Sequence, residues 1–590
     1  MIYVSEAYKK ASESPNRDSY IIAKYGQFDK TLKGNINNVS GESKSFSNVF
    51  KVYNDIKETN YNYITCEPNR VKLDNTFFFI SNKTKSNPNE NIAFFGSNIS
   101  NQNGVIGNGN YSTGNMIEIY LSNNILISEL VLYFQEVCSK LTVYYQRYDE
   151  SSNSSTNLYS VKIENNKDRM VNINVDDSYK NTLCNKIVID IYETLEPYRY
   201  PKLNEVDFGT FKTFTNDEIV DLDIIDELSI DSSELSSNSL NLTIDDTNKE
   251  YNILNPNNKL EFIQEKQEIT IYHYLKVVDK YKEIPLGTFL LKEFKVGNNK
   301  LQIEAYDDTY FMNKMYYGSK YYNNAPVTQI FQDLFNYFDY ANYIIDEELN
   351  DVTLTGYVPN VEFREALRMI AEASCSVVNK TRYGKTYIFK TYDPSVKTFT
   401  KRLQFKENHE KNLFNNVIDV TEYSFKAIEN QEVYNANLDV GLHTIVFKNY
   451  PILESTISKQ DVNNNNYEIK NVYATTCIVD VKQKTDVILK ATLMEQSNVV
   501  KRINKEENIQ QEEYAISKVN NTLITQRNSN EVANWKLNRG NIKYRFDTLL
   551  TPYIEVGDTC KYQTQFGTIN EFIPTRIQFD KSLIQNIEGE

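Results

Sequence analysis

Apolar and polar residues alternate with a period of two along much of this chain, and that spacing predicts strands. It is clearest at Ile117, Ile119 and Leu121; Leu130, Leu132 and Phe134; Leu141, Val143 and Tyr145; Val171, Ile173 and Val175; and Ile187, Ile189 and Ile191. These runs recur mostly every 10 to 15 residues, apart from a longer Ser/Asn-rich connection, SSNSSTN, after Glu150. No helical period competes, so residues 76–208 predict a β-sandwich. Between Ile284 and Asn313 the chain reads IPLGTFLLKEFKVGNNKLQIEAYDDTYFMN. Here Phe289 and Leu291 share one face, a Gly-Asn-Asn turn follows, and Leu301, Ile303 and Ala305 alternate with Gln302, Glu304 and Tyr306. The prediction is a hairpin.

The period changes to that of a helix at residues 325–338. Val327, Ile330, Phe331, Leu334, Phe335 and Phe338 form one stripe, and Pro326 suits the first turn. A second helix is predicted at about 361–373, burying Phe363, Ala366, Leu367, Ile370 and Ala371, with Asn360 as a cap. SCSVVNKTRYGKTYIFK then predicts strand, turn at Arg382 to Gly384, and strand. Residues 1–75 open with a short helix, Val4 to Ala11, followed by a strand at IIAKYGQF, and the chain from 401 onward is again β-rich. The fold class is mainly β with a small α+β part, spread over several domains: 1–75, 76–208, 209–320, 321–400 and 401–590.

Composition narrows the function. The 590 residues include 44 Tyr and 30 Phe but one Trp, which leans toward half-buried pleated surfaces, although an AT-rich coding genome accounts equally well for part of that excess. A net charge of −15 without a strong basic cluster argues against nucleic acid as a partner. The N-terminal segment has no apolar h-region, and no run of about 18 apolar residues exists, so neither a secretory signal nor a membrane span is expected. Six scattered Cys without a CxxC, and isolated His273, His409 and His443, make a zinc site improbable. Cys138 and Cys184 fall in one domain, where buried thiols are expected in preference to a disulfide.

The densest charge run, Asp217 to Glu234, holds eight acidic residues and no basic one. A calcium site or a glycosidase pair would need such residues. Asp221 and Asp223, however, alternate with Val220, Leu222 and Ile224, which places them on the solvent or subunit-facing side of a strand. GVIGNGN lacks the Lys-Ser/Thr of a phosphate loop, and no GxSxG or HExxH occurs. No catalytic, cofactor or metal residue is therefore assigned. Tyr198, Arg199 and Tyr200 are the candidate glycan contacts, since rings and a guanidinium can stack on and hydrogen-bond a sugar; the alternative is that the rings pack and Arg199 pairs with a carboxylate.

The hairpin wording resembles the tail hub and minor tail proteins of phages of low-GC Gram-positive bacteria, where a strand of the type "PLGTFYLKEW" precedes one ending in "AYD". Residues 215–310 follow a similar order: the acidic strand, SLNLTIDDTNKEYNILNP, LEFIQEKQEITIYHYL, then the hairpin. REALRMIAEASCSVV…RYGKTYIF and the closing YIEVGDTCKYQTQFGTINEFIPTRIQFD resemble further hub segments, with Lys581 and Ser582 where the family closes on two glycines. EPNRVKLDNTF, IAFFGSNISNQNGVI and PYRYPKLNEVDFG are similar to a galactose-binding-like jelly roll inserted in such proteins. The resemblance implies hub-type β-barrels plus an inserted jelly roll, and a structural role in the virion tail, at the tail tip or baseplate, of a phage or a phage-tail-like bacteriocin, made in the host cytoplasm. It implies a homotrimer that meets distal tail proteins, a tape-measure protein and a spike or receptor-binding protein. A carbohydrate-binding adhesin is the alternative, and a cell-wall hydrolase a third.

Overall fold

A computed structural model describes the chain apart from 1, 3, 15, 45–46, 65–66, 128, 177, 180–181, 253, 391, 393–395, 462–464, 539–541 and the stretches 29–32, 54–62, 69–77, 80–92, 109–113, 256–264, 412–416 and 506–515. The architecture is mainly β and multidomain. The chain divides into two compact units, one of Met1–Ile22, Thr215–Lys259 and Thr270–Glu590, the other of Ala23–Phe214 and Leu260–Ile269.

The second unit places two sheets around one apolar core. Ile36–Gly41, Asn115–Leu126, Leu183–Thr194, Cys138–Asp149 and Ser154–Ile163 make a five-stranded sheet in that order. Met170–Ile173, Leu130–Glu136 and Lys202–Phe214 lie beside one another in the other. The five alternating triplets read from sequence are all buried in the shared core, with Val39, Leu203, Val206 and Phe208. Ser154–Ile163 corrects the reading of SSNSSTN as connection: the segment pairs with Leu141–Asp149 from Ser154 onward. Its first four residues are exposed and polar, so the strand's start at the sheet edge carries no apolar signal, whereas Tyr159, Val161 and Ile163 farther along alternate and pack on the core. Cys138 and Cys184 are buried free thiols, while Cys66 lies outside the described residues.

In the first unit, nine strands run in the order Glu268–Val277, Lys280–Gly297, Lys300–Tyr306, Ser239–Asp245, Ile219–Glu227, Pro574–Asp580, Ile584–Gly589, Ile542–Leu549 and Phe405–Lys411. The acidic strand pairs directly with the C-terminal hairpin, Ile224 opposite Phe579, across some 350 residues of sequence. Arg17 joins the chain's beginning to this end, donating to the carbonyls of Leu550 (2.8 Å) and Leu583 (2.6 Å).

Beside this sheet lies an α+β part. Helices Val327–Tyr337 and Phe363–Ala373 bury the residues their stripes predicted, except Phe338, which is the half-buried C-cap of the first, and they pack with Leu523, Val532 and Ala533 in one core. Phe335 stacks on Tyr343 at 4.2 Å, and Phe338 on Phe363 at 4.4 Å. Pro326 stands at the N-cap, one position before the first turn. Asn360 does not cap the second helix. Val361–Glu362 is held extended by pairing with Met315–Tyr316, so Glu362 becomes the N-cap and Asn360 accepts the Thr475 hydroxyl at 2.6 Å. Farther on, Val417–Leu438 and Thr485–Asn504 form a long antiparallel ribbon. Between them, Gly441–Val446, Thr476–Val481 and Tyr467–Val472 build a small sheet that shares an apolar core with Val433, Val487, Leu489 and Ala491 of the ribbon.

Candidate functional site

The hairpin that dominates the sequence reading turns at Asn298 and Asn299, both in the left-handed region (φ 54° and 58°), with Gly297 opposite Lys300. That geometry matches the right-handed twist of the strands, and Asn tolerates it better than most residues. Phe289, Leu291, Leu301, Ile303 and Ala305 are buried, as their alternation requires. A bulge between Leu291 and Glu293 brings Lys292 against Glu304 at 2.7 Å.

The hairpin ends in two aspartates with different tasks. Asp307 is buried and accepts from the backbone of Asn238 (2.7 Å) and Thr309 (3.0 Å), which ties the hairpin to the start of the neighbouring strand. Burial pushes its pKa up to about 6. Asp308 pairs with Lys380 and accepts the Tyr340 hydroxyl at 2.9 Å. Lys380 in turn donates to Thr386 at 3.0 Å, so one cation joins the hairpin, the turn after the first helix and the strands 377–389.

The acidic strand splits by the same period-two logic. Asp217 and Asp221 are exposed and Asp223 half-buried, in agreement with the sequence. Asp226 instead shares the inward phase of Leu222 and Ile224 and is buried. Its partner is Arg382, whose Nε lies 3.2 Å from Asp226 Oδ2. Burial pushes Asp226 up to about 6 despite that cation. The Arg382 guanidinium lies 5.2 Å from the Phe579 ring centre and donates to the Pro552 carbonyl, while its backbone N–H donates to buried Glu555 at 3.2 Å. Burial opposes the charge on Glu555, yet positive neighbours including Arg382 bring its pKa below the ordinary value. Arg382 thus fastens the acidic strand, the closing hairpin and the α+β part at one point. Sequence reasoning placed Arg382 only in a turn. The usable signal was Asp226, the one acidic residue in phase with the buried positions of its strand.

On the sandwich, Tyr198 has φ 55° and is 43% exposed. Arg199 donates to the Pro68 carbonyl at 2.8 Å and lies 3.8 Å from Glu136. The Tyr200 ring sits 5.4 Å from Phe95, with the Lys44 ammonium 4.5 Å from its centre. The three side chains therefore do not converge: one ring is open to solvent, one is packed, and the guanidinium is engaged by the protein.

A cavity of about 600 Å³ opens in the first unit beside Glu372, which receives Arg368 (3.1 Å) and Lys536 (2.9 Å). Four of its lining charges form one network, since Arg368 also pairs with Glu365 at 2.8 Å. Among the described residues no group of three or more His, Cys, Asp or Glu side chains is placed to hold a metal, and no helix is long and apolar enough to cross a membrane.

No protein-family model matches the chain, and no curated protein matches it. Among solved structures it is similar to the 43 kDa tail protein of prophage MuSo2 from Shewanella oneidensis (10% identity, 64% of this chain and 94% of that one, TM-score 0.37). It is likewise similar to the tail protein from Neisseria meningitidis MC58 (10%, 64% and 93%, TM-score 0.38). A third likeness is to the prophage tail protein gp18 from Listeria monocytogenes EGD-e (10%, 62% and 94%, TM-score 0.31).

Proposed function

We propose that this chain is a structural hub of a phage-like tail, which closes the distal end of the tail tube and anchors spike or receptor-binding components. One observation carries the reading. The segments that resemble the hub family, 215–310 and the closing hairpin, lie 250 residues and more apart in sequence, yet they join strand to strand in one continuous sheet. Interrupted by long insertions, they still complete each other, with Arg382 and Asp226 fixing the junction. An assembly role requires large permanent interfaces, typically beyond about 2,000 Å², and the many tyrosines supply suitable anchors. The chain acts as a homotrimer, with the tape-measure protein above and the spike below, and the sandwich projects outward. Native mass measurement of the full chain tests this: trimers are expected, and a stable monomer, alone and with tail partners, overturns it.

The solvent-open Tyr198 ring favours a second reading, in which the sandwich is a glycan-binding adhesin that stacks sugar on Tyr198, while Arg199 and Tyr200 are held by the protein. Cell-wall polysaccharide binding by the full chain, lost in Tyr198→Ala, would support it. Unchanged binding would remove Tyr198 from it.

A further inference from the structure

We propose that Lys202 and Glu67 condense to a side-chain amide, a covalent staple inside the sandwich that stands apart from the hub reading. Strand register brings the groups together. Lys202 stands opposite Glu136 on one neighbouring strand and opposite Phe95 on the other, so the three side chains share one face of the sheet. Glu67 meets them from 135 residues earlier in the chain, with its Oε1 2.7 Å from Lys202 Nζ. Glu136 Oε2 lies 3.9 Å from the same nitrogen. The Lys202, Glu67 and Glu136 side chains are each no more than 5% exposed, and the Phe95 ring centre sits 4.9 Å from the ammonium. An amine and a carboxyl are therefore held in contact where bulk water is excluded, the two conditions under which condensation outruns hydrolysis.

Each part of the step has a group in place. Burial disfavours the charged forms, so the Lys202 proton passes to Glu67 and leaves a free amine beside a carboxylic acid. The amine lone pair attacks Glu67 Cδ, one bond beyond Oε1. Negative charge then develops on Oε1, which already accepts the Tyr200 backbone N–H at 3.0 Å, a donor suited to an oxyanion. Glu136 takes the surplus proton from the attacking nitrogen and returns it to the departing Oε2 hydroxyl. The C–N bond forms, the C–Oε2 bond breaks, and one water leaves; neither oxidant nor reductant is needed. Charge balance favours the product. Condensation removes one buried cation and one buried anion, and the remaining carboxylate, Glu136, keeps Arg199 at 3.8 Å as its counter-ion. A standing ion pair would instead hold four charges together away from water, where desolvation offsets much of their attraction.

Mass spectrometry of the full chain, purified folded and then denatured, reads the bond directly. The wild type is expected to be lighter than its sequence by one water, and proteolysis should release one branched peptide joining the segments around Glu67 and Lys202. Lys202→Arg keeps the charge but supplies no such amine, and should have the full sequence mass. Glu136→Gln keeps both reacting groups and should form the bond at least about tenfold more slowly, followed by mass at intervals after synthesis. A wild-type chain at full mass, or a water lost elsewhere in the sequence, overturns the staple. Crosslinking of Glu136→Gln at the wild-type rate removes Glu136 from the step. The wild-type mass and branched peptide alone decide between amide and ion pair, whether or not a variant folds.

Discussion

Arg382 Nε lies 3.2 Å from Asp226 Oδ2 across 156 residues of sequence, and both side chains are almost wholly withdrawn from solvent. Removing one partner of such a pair leaves an uncompensated buried charge, which typically costs about 3–5 kcal/mol. Arg382→Met is expected to destabilise the full chain by that amount in urea unfolding. Joint replacement, Arg382→Met with Asp226→Leu, should cost clearly less than the sum of the single changes, because the stranded charge is gone. Additive losses would show that the two residues do not act as a pair.

Acid should act on this unit in two opposed ways. Burial holds the His273 pKa near 3 against an ordinary 6.5, and neither ring nitrogen has a hydrogen-bond partner among the described residues. The unfolded state therefore binds the extra proton first, and this contribution to stability, complete above pH 6.5, is lost as pH falls toward 3. Asp226 and Asp307, raised to about 6 from 3.8, behave in reverse: their contribution is complete below pH 3.8 and lost as pH rises through 6. One proton corresponds to about 1.4 kcal/mol per pH unit. His273→Leu should therefore gain stability relative to wild type at every step from pH 6.5 to 4, measured by urea midpoints. Parallel curves would mean that His273 is hydrated or partnered in solution.

The hairpin turn gives a local test. Asn298 and Asn299 both have positive φ, where a β-branched side chain clashes with its own backbone. Asn299→Val should cost about 1–2 kcal/mol, whereas Asn299→Gly should be neutral or mildly stabilising. Equal melting temperatures for the two variants would contradict the turn geometry.

How much of this was legible in sequence followed from where the apolar residues lie. The two helices and the five sandwich triplets announced themselves because each buries one face, so 3.6 or 2 was written into the chain. The start of Ser154–Ile163 stayed invisible, since its exposed Ser/Thr/Asn residues are held by backbone bonds alone, although Tyr159, Val161 and Ile163 did alternate and pack on the core. Asn360 illustrates a second limit. Its capping chemistry was sound, but a two-residue bridge to Met315–Tyr316 moved the helix start by tertiary contact. The Arg382 junction was half legible: the period marked Asp226 as inward, while its partner lay in a turn whose place in space only the fold decides.

Two glycines separate a conformational requirement from incidental usage. Gly356 has φ 136°, and a β-carbon there would lie 2.1 Å from the Thr522 carbonyl oxygen, an approach to rigid backbone rather than to a mobile side chain. Gly297 precedes the Asn-Asn turn, and an added β-carbon meets nothing within 4 Å. Gly356→Ala must both strain its own backbone and push apart two segments that close the α+β core, so a loss of about 3 kcal/mol or more is expected. Gly297→Ala should change stability by less than about 1 kcal/mol, and a slight gain is expected because the unfolded chain loses freedom. Urea unfolding of both variants decides the matter. A tolerated alanine at 356 would mean that the strand Thr353–Gly356 does not approach Thr522 as closely as the structure places it.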